Sequence, residues 1–238
     1  MNFNDARILD QRFVFQTYKR LPLLLTRGRG VYVYDDSGKR YLDMLGGLAV
    51  NSLGHAHPRI VKAIADQAHT LSHVSNLYYT EPMLHTARSL CEFSGMGKAF
   101  FCNSGAEANE GAIKLARKYF SLKGEKRHEI VTMKMSFHGR TMATLTATGQ
   151  PFYQQHYDPL VPGFKYAVLN DFESVEKLVS AKTAAIMVEP VQGESGIYPA
   201  TRQFMKGLAS LRRRHGLLLI FDEVQCGLGR TGKWFAFQ

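Results

Sequence analysis

Four short stretches place chemically capable side chains directly after apolar runs. In "FFCNSGAEANEGAIKLARKYF" such a run meets Asn103, Ser104, Gly105 and Ala106, and a helical pattern follows. Ser104 with Glu107 three residues on reads as a capping box. Small residues on the first turn let an anion approach free backbone N–H groups at the positive end of the helix dipole, which suits a phosphate; an ordinary capped helix accounts for the stretch equally. The second stretch, "SFHGRT", follows the strand pattern of Ile130 to Met133. Phe137 at a strand end can stack on a flat ring, and Arg140 can grip a carboxylate through two parallel bonds; plain core and solvated surface are the alternatives. Glu189 closes a third apolar run ahead of Pro190, with Glu194 five positions later in a turn, and Asp222 closes a fourth, "LLLIF". A carboxylate at a buried strand end usually neutralises an arginine, whereas beside a cationic heterocycle it holds the ring protonated.

The elements that must position these groups are legible from periodicity. "VYVYDDSGKRYLDM" alternates on both sides of an Asp-Asp-Ser-Gly turn, the pattern of an antiparallel hairpin. "HPRIVKAIADQAHTL" puts Ile60, Ile64 and Ala68 at helical spacing, and from there on the short runs "KAFFC", "EIVTM", "YAVL", "AAIMV" and "LLLIF" alternate with helices. That is the grammar of a parallel sheet. The helix after Ser104 is expected to carry Ala108, Ala112, Leu115, Ala116 and Tyr119 on one face. One βαβ unit reads almost completely: a strand Ala184 to Val188, a helix from about Thr201 with Phe204, Leu208 and Leu211 facing one way, a stop at Gly216, and a strand Leu217 to Phe221. In open α/β sheets ligands sit beyond the carboxyl ends of the strands, where all four stretches fall. Phosphate cup, stacking aromatic and ring-nitrogen carboxylate together describe a pyridoxal 5'-phosphate site.

Composition narrows the alternatives. With 238 residues and 45% hydrophobic content the chain is globular, either one large α/β domain or two small ones. The excess of 30 Lys+Arg over 20 Asp+Glu gives a formal +10, yet the longest basic run, Arg212 to Arg214 with His215, lies at the carbonyl end of a helix, where the dipole favours cations. No nucleic-acid partner is expected. Cys91, Cys102 and Cys226 form no CxxC pair and read as reduced cytosolic thiols. The charged N-terminus and the short "LPLLL" run suit neither an export signal nor a membrane span, so a cytoplasmic location is expected. Gly227, Gly229 and Gly232 spell GxGxxG, and with Lys233 nearly a P-loop. Both readings fail because Asp222 to Cys226 intervene after the strand and Trp234 stands where Ser or Thr would hold magnesium. "HAH" at His55 to His57 has no second ligand cluster, so it is read as a loop turned by Pro58, and no metal is expected.

"NSGAEANE", "SFHGRT", "VEPVQGE" and "IFDEVQCGLGRTG", in this order and spacing, strongly resemble the class III aminotransferases of pyridoxal-phosphate fold type I. The resemblance covers essentially the whole chain, beginning with "GVYVYDDSGKRYLDMLGGLAVNSLGHAHP". "AVNSLGHAHP", "SNLYYTEP" and "FHGRT" are most similar to the branch that acts on N-acetylornithine in arginine biosynthesis. The resemblance implies an α/β fold: a three-layer α/β/α large domain with a mostly parallel sheet over residues 54–238, after the N-terminal part of a small α+β domain, helix and hairpin, over residues 1–53. It implies pyridoxal 5'-phosphate as cofactor, a homodimer, and amino transfer between N-acetylornithine, or a related ω-amino acid, and 2-oxoglutarate.

Carried over residue by residue, the resemblance gives Ser104, Gly105 and Ala106 to the cofactor phosphate and Phe137 to one face of its ring. Asp222 goes to the pyridine nitrogen, Gln225 to the ring hydroxyl, and Glu189 supports the site from behind. Arg140 takes the substrate α-carboxylate, Glu194 distinguishes the two substrates, and Asn76 and Tyr78 line the substrate pocket. One departure is expected to matter. The lysine that holds the cofactor covalently lies, in relatives, on a later strand and loop, and Lys233 is not in that position, so the chain reads as an N-terminal fragment that does not turn over. Ornithine or 4-aminobutyrate aminotransferase is the alternative among enzymes, and a non-catalytic half-fold binding protein the alternative outside them.

Overall fold

The structure is a computed structural model describing residues 1–238, which form two compact units, Met1–Thr80 and Glu81–Gln238. In the first unit, α1 (Phe3–Phe13) starts at Asn2, whose side-chain oxygen accepts the Asp5 N–H at 3.0 Å. Strands β1 (Leu25–Arg29), β2 (Tyr32–Asp35) and β3 (Arg40–Leu42) pair in that order, antiparallel throughout. The expected hairpin is β2–β3. Its turn is tied by Asp35, whose Oδ1 accepts the N–H groups of Ser37 and Lys39 at 3.0 and 2.9 Å and whose Oδ2 accepts the Tyr41 hydroxyl at 2.7 Å. β1, "LTRGR", lacks the alternation that marks a strand and was not expected. After a kinked turn, α2 (Gly46–Ala49), comes α3 (Pro58–Thr70), with proline in its first turn. Its apolar face forms as expected but lies open: Ile60 is 43% and Ile64 66% exposed.

The second unit runs α4 (Glu81–Ser94), α5 (Gly105–Leu122), β4 (Glu129–Met133), α6 (Met142–Ala147), α7 (Pro151–Gln154), β5 (Phe164–Ala167), α8 (Phe172–Glu176) and β6 (Thr183–Val188), then two-residue strands β7 (Val191–Gln192) and β8 (Tyr198–Pro199), α9 (Arg202–His215) and β9 (Leu218–Phe221). The main sheet has the order β5-β4-β6-β9, and every pairing is parallel. Successive side chains of β6 point to opposite faces. Ala185 and Met187 join Ile130 beneath Ile113 and Ala116 of α5 and Ala143 and Ala147 of α6. Ile186 and Val188 join Val131 and Met133 against Phe204, Leu208 and Leu211 of α9. Helices therefore cover both faces, giving three layers, and the strands read as unbroken apolar runs because neither face meets water. α9 is capped by Thr201 and stopped by Gly216 at φ 63°, with Arg212, Arg213, Arg214 and His215 in its last turn.

Three expectations need correction. "KAFFC" is not a strand: residues 98–102 join no ladder, and Phe100 and Phe101 are 76% and 43% exposed. A strand persists only with a hydrogen-bonded neighbour, and a groove of about 570 Å³ is lined by Ala99 and Phe100 together with Leu219 and Phe221 of the edge strand β9. The buried stripe of α5 is Asn109, Ile113, Ala116 and Phe120, while Leu115 and Tyr119 are 69% and 41% exposed. The stripe is turned from the expected face because Asn109, a polar residue, points inward to polar partners. The strand expected in "YAVL", Tyr166 to Leu169, lies two residues earlier: β5 starts at Phe164 and ends at Ala167.

Candidate functional site

Because β4, β6 and β9 run parallel, the residues that follow them share one edge of the sheet, and the positive end of α5 faces that edge through its contacts. Ser104 Oγ accepts the Glu107 N–H at 3.2 Å, and Glu107 Oε2 in return accepts the N–H of Asn103, one residue before the cap, at 2.6 Å. The N–H groups of Gly105 and Ala106, at the start of the helix, have no intrahelical acceptor. Both residues lie under close neighbours. A Cβ on Gly105 would sit 2.9 Å from Val224 Cγ1, and one on Gly139, whose φ is 133°, would sit 2.8 Å from Ala106 Cβ. The loop after β4 and the turn after β9 are thus packed onto the first turn of α5 at distances only glycine allows.

Asp222 is the centre of the arrangement and is 6% exposed. Its Oδ2 accepts from Asn109 Nδ2 at 2.7 Å and faces His138 Nδ1 at 2.7 Å, and its Oδ1 accepts the Val224 N–H at 3.1 Å. His138 is fully buried, and its Nε2 has no partner. The proton is therefore assigned to Nδ1, where it is donated to Asp222. Asn109 also donates to the His138 carbonyl at 2.8 Å, so one amide fixes both members of the pair. A carboxylate accepts about four hydrogen bonds; three are used, and a lone pair on Oδ1 is left over.

Glu189, 5% exposed, accepts the Phe137 N–H at 2.8 Å and, weakly, the Gly193 N–H at 3.4 Å. Burial, the largest cause, pushes its carboxyl up from 4.5 to about 7; nearby Asp222 adds to the rise, while His138 and the Phe137 N–H oppose it. Gln225 lies with its Oε1 against Gly193, where no side chain would fit. On the solvent side, Glu194 Oε1 accepts the Tyr153 hydroxyl at 2.7 Å, and the Arg140 guanidinium lies 5.9 Å from the Phe137 ring centre and 5.7 Å from that of Tyr153.

Of the residues expected to form the site, Ser104, Gly105, Ala106, Phe137, Arg140, Glu189, Glu194, Asp222 and Gln225 all lie in the second unit and are linked by the contacts above. Asn76 and Tyr78 lie in the first unit, exposed, at a short 3₁₀ turn over Ser75–Leu77. Sequence reasoning missed Asn109, His138 and Tyr153. Asn109 left a signal, an amide four residues before Ile113 on a helix over an apolar sheet; His138 left only its place inside "SFHGRT", and Tyr153 left none.

Comparison with known proteins adds a family. The description "Aminotransferase class-III" matches residues 14–238. Acetylornithine aminotransferase of Methanocaldococcus jannaschii is 54% identical over 231 residues, covering 97% of this chain and 58% of that protein. The Caldanaerobacter subterraneus subsp. tengcongensis protein of the same name is 52% identical, covering 96% of this chain and 58% of its own length. Among solved structures, ornithine aminotransferase from Toxoplasma gondii superposes with a TM-score of 0.93 at 31% identity, covering 99% of this chain and 57% of that one. N-acetylornithine aminotransferase from Stenotrophomonas maltophilia gives 0.80 at 39% identity, covering 96% and 56%. The chain thus spans somewhat more than half the length of the relatives it matches.

Proposed function

This chain belongs to the class III aminotransferases, which depend on pyridoxal 5'-phosphate, and from that premise we propose that the whole protein moves an amino group between N-acetylornithine and 2-oxoglutarate. The observation that carries this reading is the buried Asp222 carboxylate, held by Asn109, His138 and the Val224 N–H with one acceptor position left over. The residues fit the cofactor. The N–H groups of Gly105 and Ala106, with the Ser104 hydroxyl, suit a phosphate at a helix N-terminus, on a first turn held in place by neighbours packed so closely that neither Gly105 nor Gly139 admits a Cβ. When bound, the cofactor supplies an electron-withdrawing ring that acidifies the substrate's Cα–H.

The chain's own groups divide the remaining work. Asp222, through the acceptor position left on Oδ1, would take the hydrogen bond of the protonated ring nitrogen and keep that proton in place, a preorganised electrostatic role. Asn109 and His138 fix the carboxylate so that it does not have to reorient. Phe137 would cover one face of the ring, and Gln225 would bond the ring hydroxyl. Glu189, which accepts the Phe137 backbone N–H, would help hold that aromatic in place. Arg140 grips the α-carboxylate shared by both amino-acid substrates, and Glu194 stands beside it.

The acyl substrate is preferred over ornithine because identity to acetylornithine aminotransferases reaches 54%, against 31% for the Toxoplasma ornithine enzyme, although the latter superposes well. In the whole protein, residues 1–53 belong to the small domain and 54–238 to the large one; a homodimer in the cytoplasm completes the reading. No helix is long and apolar enough to cross a membrane. The test is glutamate formation by the purified whole protein with N-acetylornithine, ornithine or 4-aminobutyrate as donor. A higher kcat/KM for either of the latter two would replace the substrate assignment.

A further inference from the structure

Gly193 is a glycine that its own backbone does not require. It follows β7, whose two residues pair with β8, Val191 with Pro199 and Gln192 with Tyr198. Gln192 is buried and donates from Nε2 to the Lys134 carbonyl at 3.0 Å. The Gly193 carbonyl accepts the Gly196 N–H at 3.3 Å, and the Gly193 N–H reaches Glu189 Oε2 at 3.4 Å. The chain is therefore held on both sides of residue 193. In the same turn Gly196 has a φ of 123°, in the region that favours glycine, whereas Gly193 lies outside that region. What excludes a side chain at 193 is Gln225: the three atoms nearest to a Cβ there are Oε1, Cδ and Nε2 of the Gln225 amide, with Cδ at 2.9 Å and Nε2 at 3.6 Å. The backbone that carries Gln225 is tied down as well, because Asp222 Oδ1 accepts the Val224 N–H at 3.1 Å, the Glu223 carbonyl accepts the Gly227 N–H at 2.9 Å, and Cys226 is buried.

Resting on the reading of Gln225 as the partner of the ring hydroxyl, we propose that Gly193 is a positioning residue that sets where the Gln225 amide stands by leaving it the space a side chain would take. Both backbones are held, so a methyl group at 193 is accommodated by the one part free to turn, the end of the Gln225 side chain. A hydrogen bond weakens steeply once its donor and acceptor part or tilt, so an amide turned aside is lost to the ring hydroxyl even though the residue is still present. The fold itself should tolerate the change, because alanine is compatible with a glycine position that lies outside the left-handed region. Gly139 is the contrasting case, since its φ of 133° and the Ala106 backbone close to it leave no such freedom. Gly193 also joins two parts of the site. Glu189 accepts the Phe137 N–H through Oε1 and the Gly193 N–H through Oε2, so one buried carboxyl links the aromatic assigned to the ring face with the residue that places the amide assigned to the ring edge.

The test is equilibrium binding of pyridoxamine 5'-phosphate, whose amine cannot bond covalently to a lysine, to the whole protein freed of cofactor, as wild type, Gly193→Ala, Gln225→Ala and the double variant. Gly193→Ala and Gln225→Ala are each expected to weaken binding about tenfold, the scale of one hydrogen bond. The double variant is expected to bind no more weakly than Gln225→Ala, because with the amide gone the new methyl has nothing to displace. A residue that merely shapes the turn would act alike in both backgrounds. Urea unfolding of the cofactor-free proteins should give Gly193→Ala the midpoint of the wild type, which separates a displaced amide from a damaged fold. A Gly193→Ala change that weakens binding as much without Gln225 as with it, or that lowers the urea midpoint in both backgrounds, overturns the positioning role. Normal binding by Gly193→Ala beside weakened binding by Gln225→Ala also overturns it and leaves the reading of Gln225 intact. A Gln225→Ala variant that binds as tightly as the wild type overturns that reading and this proposal with it.

Discussion

Replacing Glu189 with glutamine should remove a pH dependence of stability that this one carboxyl imposes. Burial raises the group from 4.5 to about 7 in the folded protein, so between those values the native state binds more protons than the unfolded chain. Stability therefore falls as pH rises: the contribution is fully present below about 4.5 and gone once pH passes about 7. A displacement of about 2.5 units corresponds to roughly 3 kcal/mol over the whole window, and roughly 2–3 kcal/mol of it lies between pH 5 and 8. The glutamine side chain of Glu189→Gln keeps an oxygen for the Phe137 N–H and cannot ionise. At pH 5, where Glu189 is largely the neutral acid, the two proteins should unfold at similar urea concentrations. At pH 8 the variant should be the more stable by roughly 2–3 kcal/mol, read as a rise in midpoint with unchanged slope. The difference between variant and wild type cancels every other titrating group. An equal difference at both pH values would show that Glu189 titrates as an ordinary surface carboxyl, and the burial argument would be wrong.

Other substitutions probe the same edge of the sheet. Asn109→Leu removes the bonds to Asp222 and to the His138 carbonyl and leaves two buried acceptors short, which should cost about 2–4 kcal/mol in urea unfolding; an unchanged midpoint would mean the amide is dispensable. Gly139→Ala puts a Cβ 2.7 Å from Thr144 Oγ1 and 2.8 Å from Ala106 Cβ at a φ of 133°, so thermal unfolding should show a loss of about 1–3 kcal/mol. Asp222→Asn in the whole protein should lower transamination by at least about a hundredfold, and a near-normal kcat would take Asp222 out of its assigned role.

What the sequence made legible divides by the range of the physics involved. The βαβ unit from β6 to β9 was readable to within a residue because each of its signals is local: an unbroken apolar strand, a period of 3.6 with Phe204, Leu208 and Leu211, and a glycine stop at φ 63°. Asp222 and Glu189 were readable for the same reason, since each is a charge at the end of an apolar run. "KAFFC" has the same local signature and is no strand, because a strand depends on a neighbour far away in sequence, and local pattern says nothing about whether one is present. The stripe on α5 failed in a related way. Counting apolar residues favoured Leu115 and Tyr119, yet a buried amide set the helix rotation, and the partners of Asn109 lie 29 and 113 residues away. Tyr153 is the extreme case, an aromatic in a short turn whose meaning depends on Glu194, 41 positions later. Motif recognition finds the groups that meet a ligand, because their chemistry is distinctive in type. The groups that hold them, Asn109, His138 and Tyr153, are ordinary polar residues, and only distance and burial distinguish them from surface.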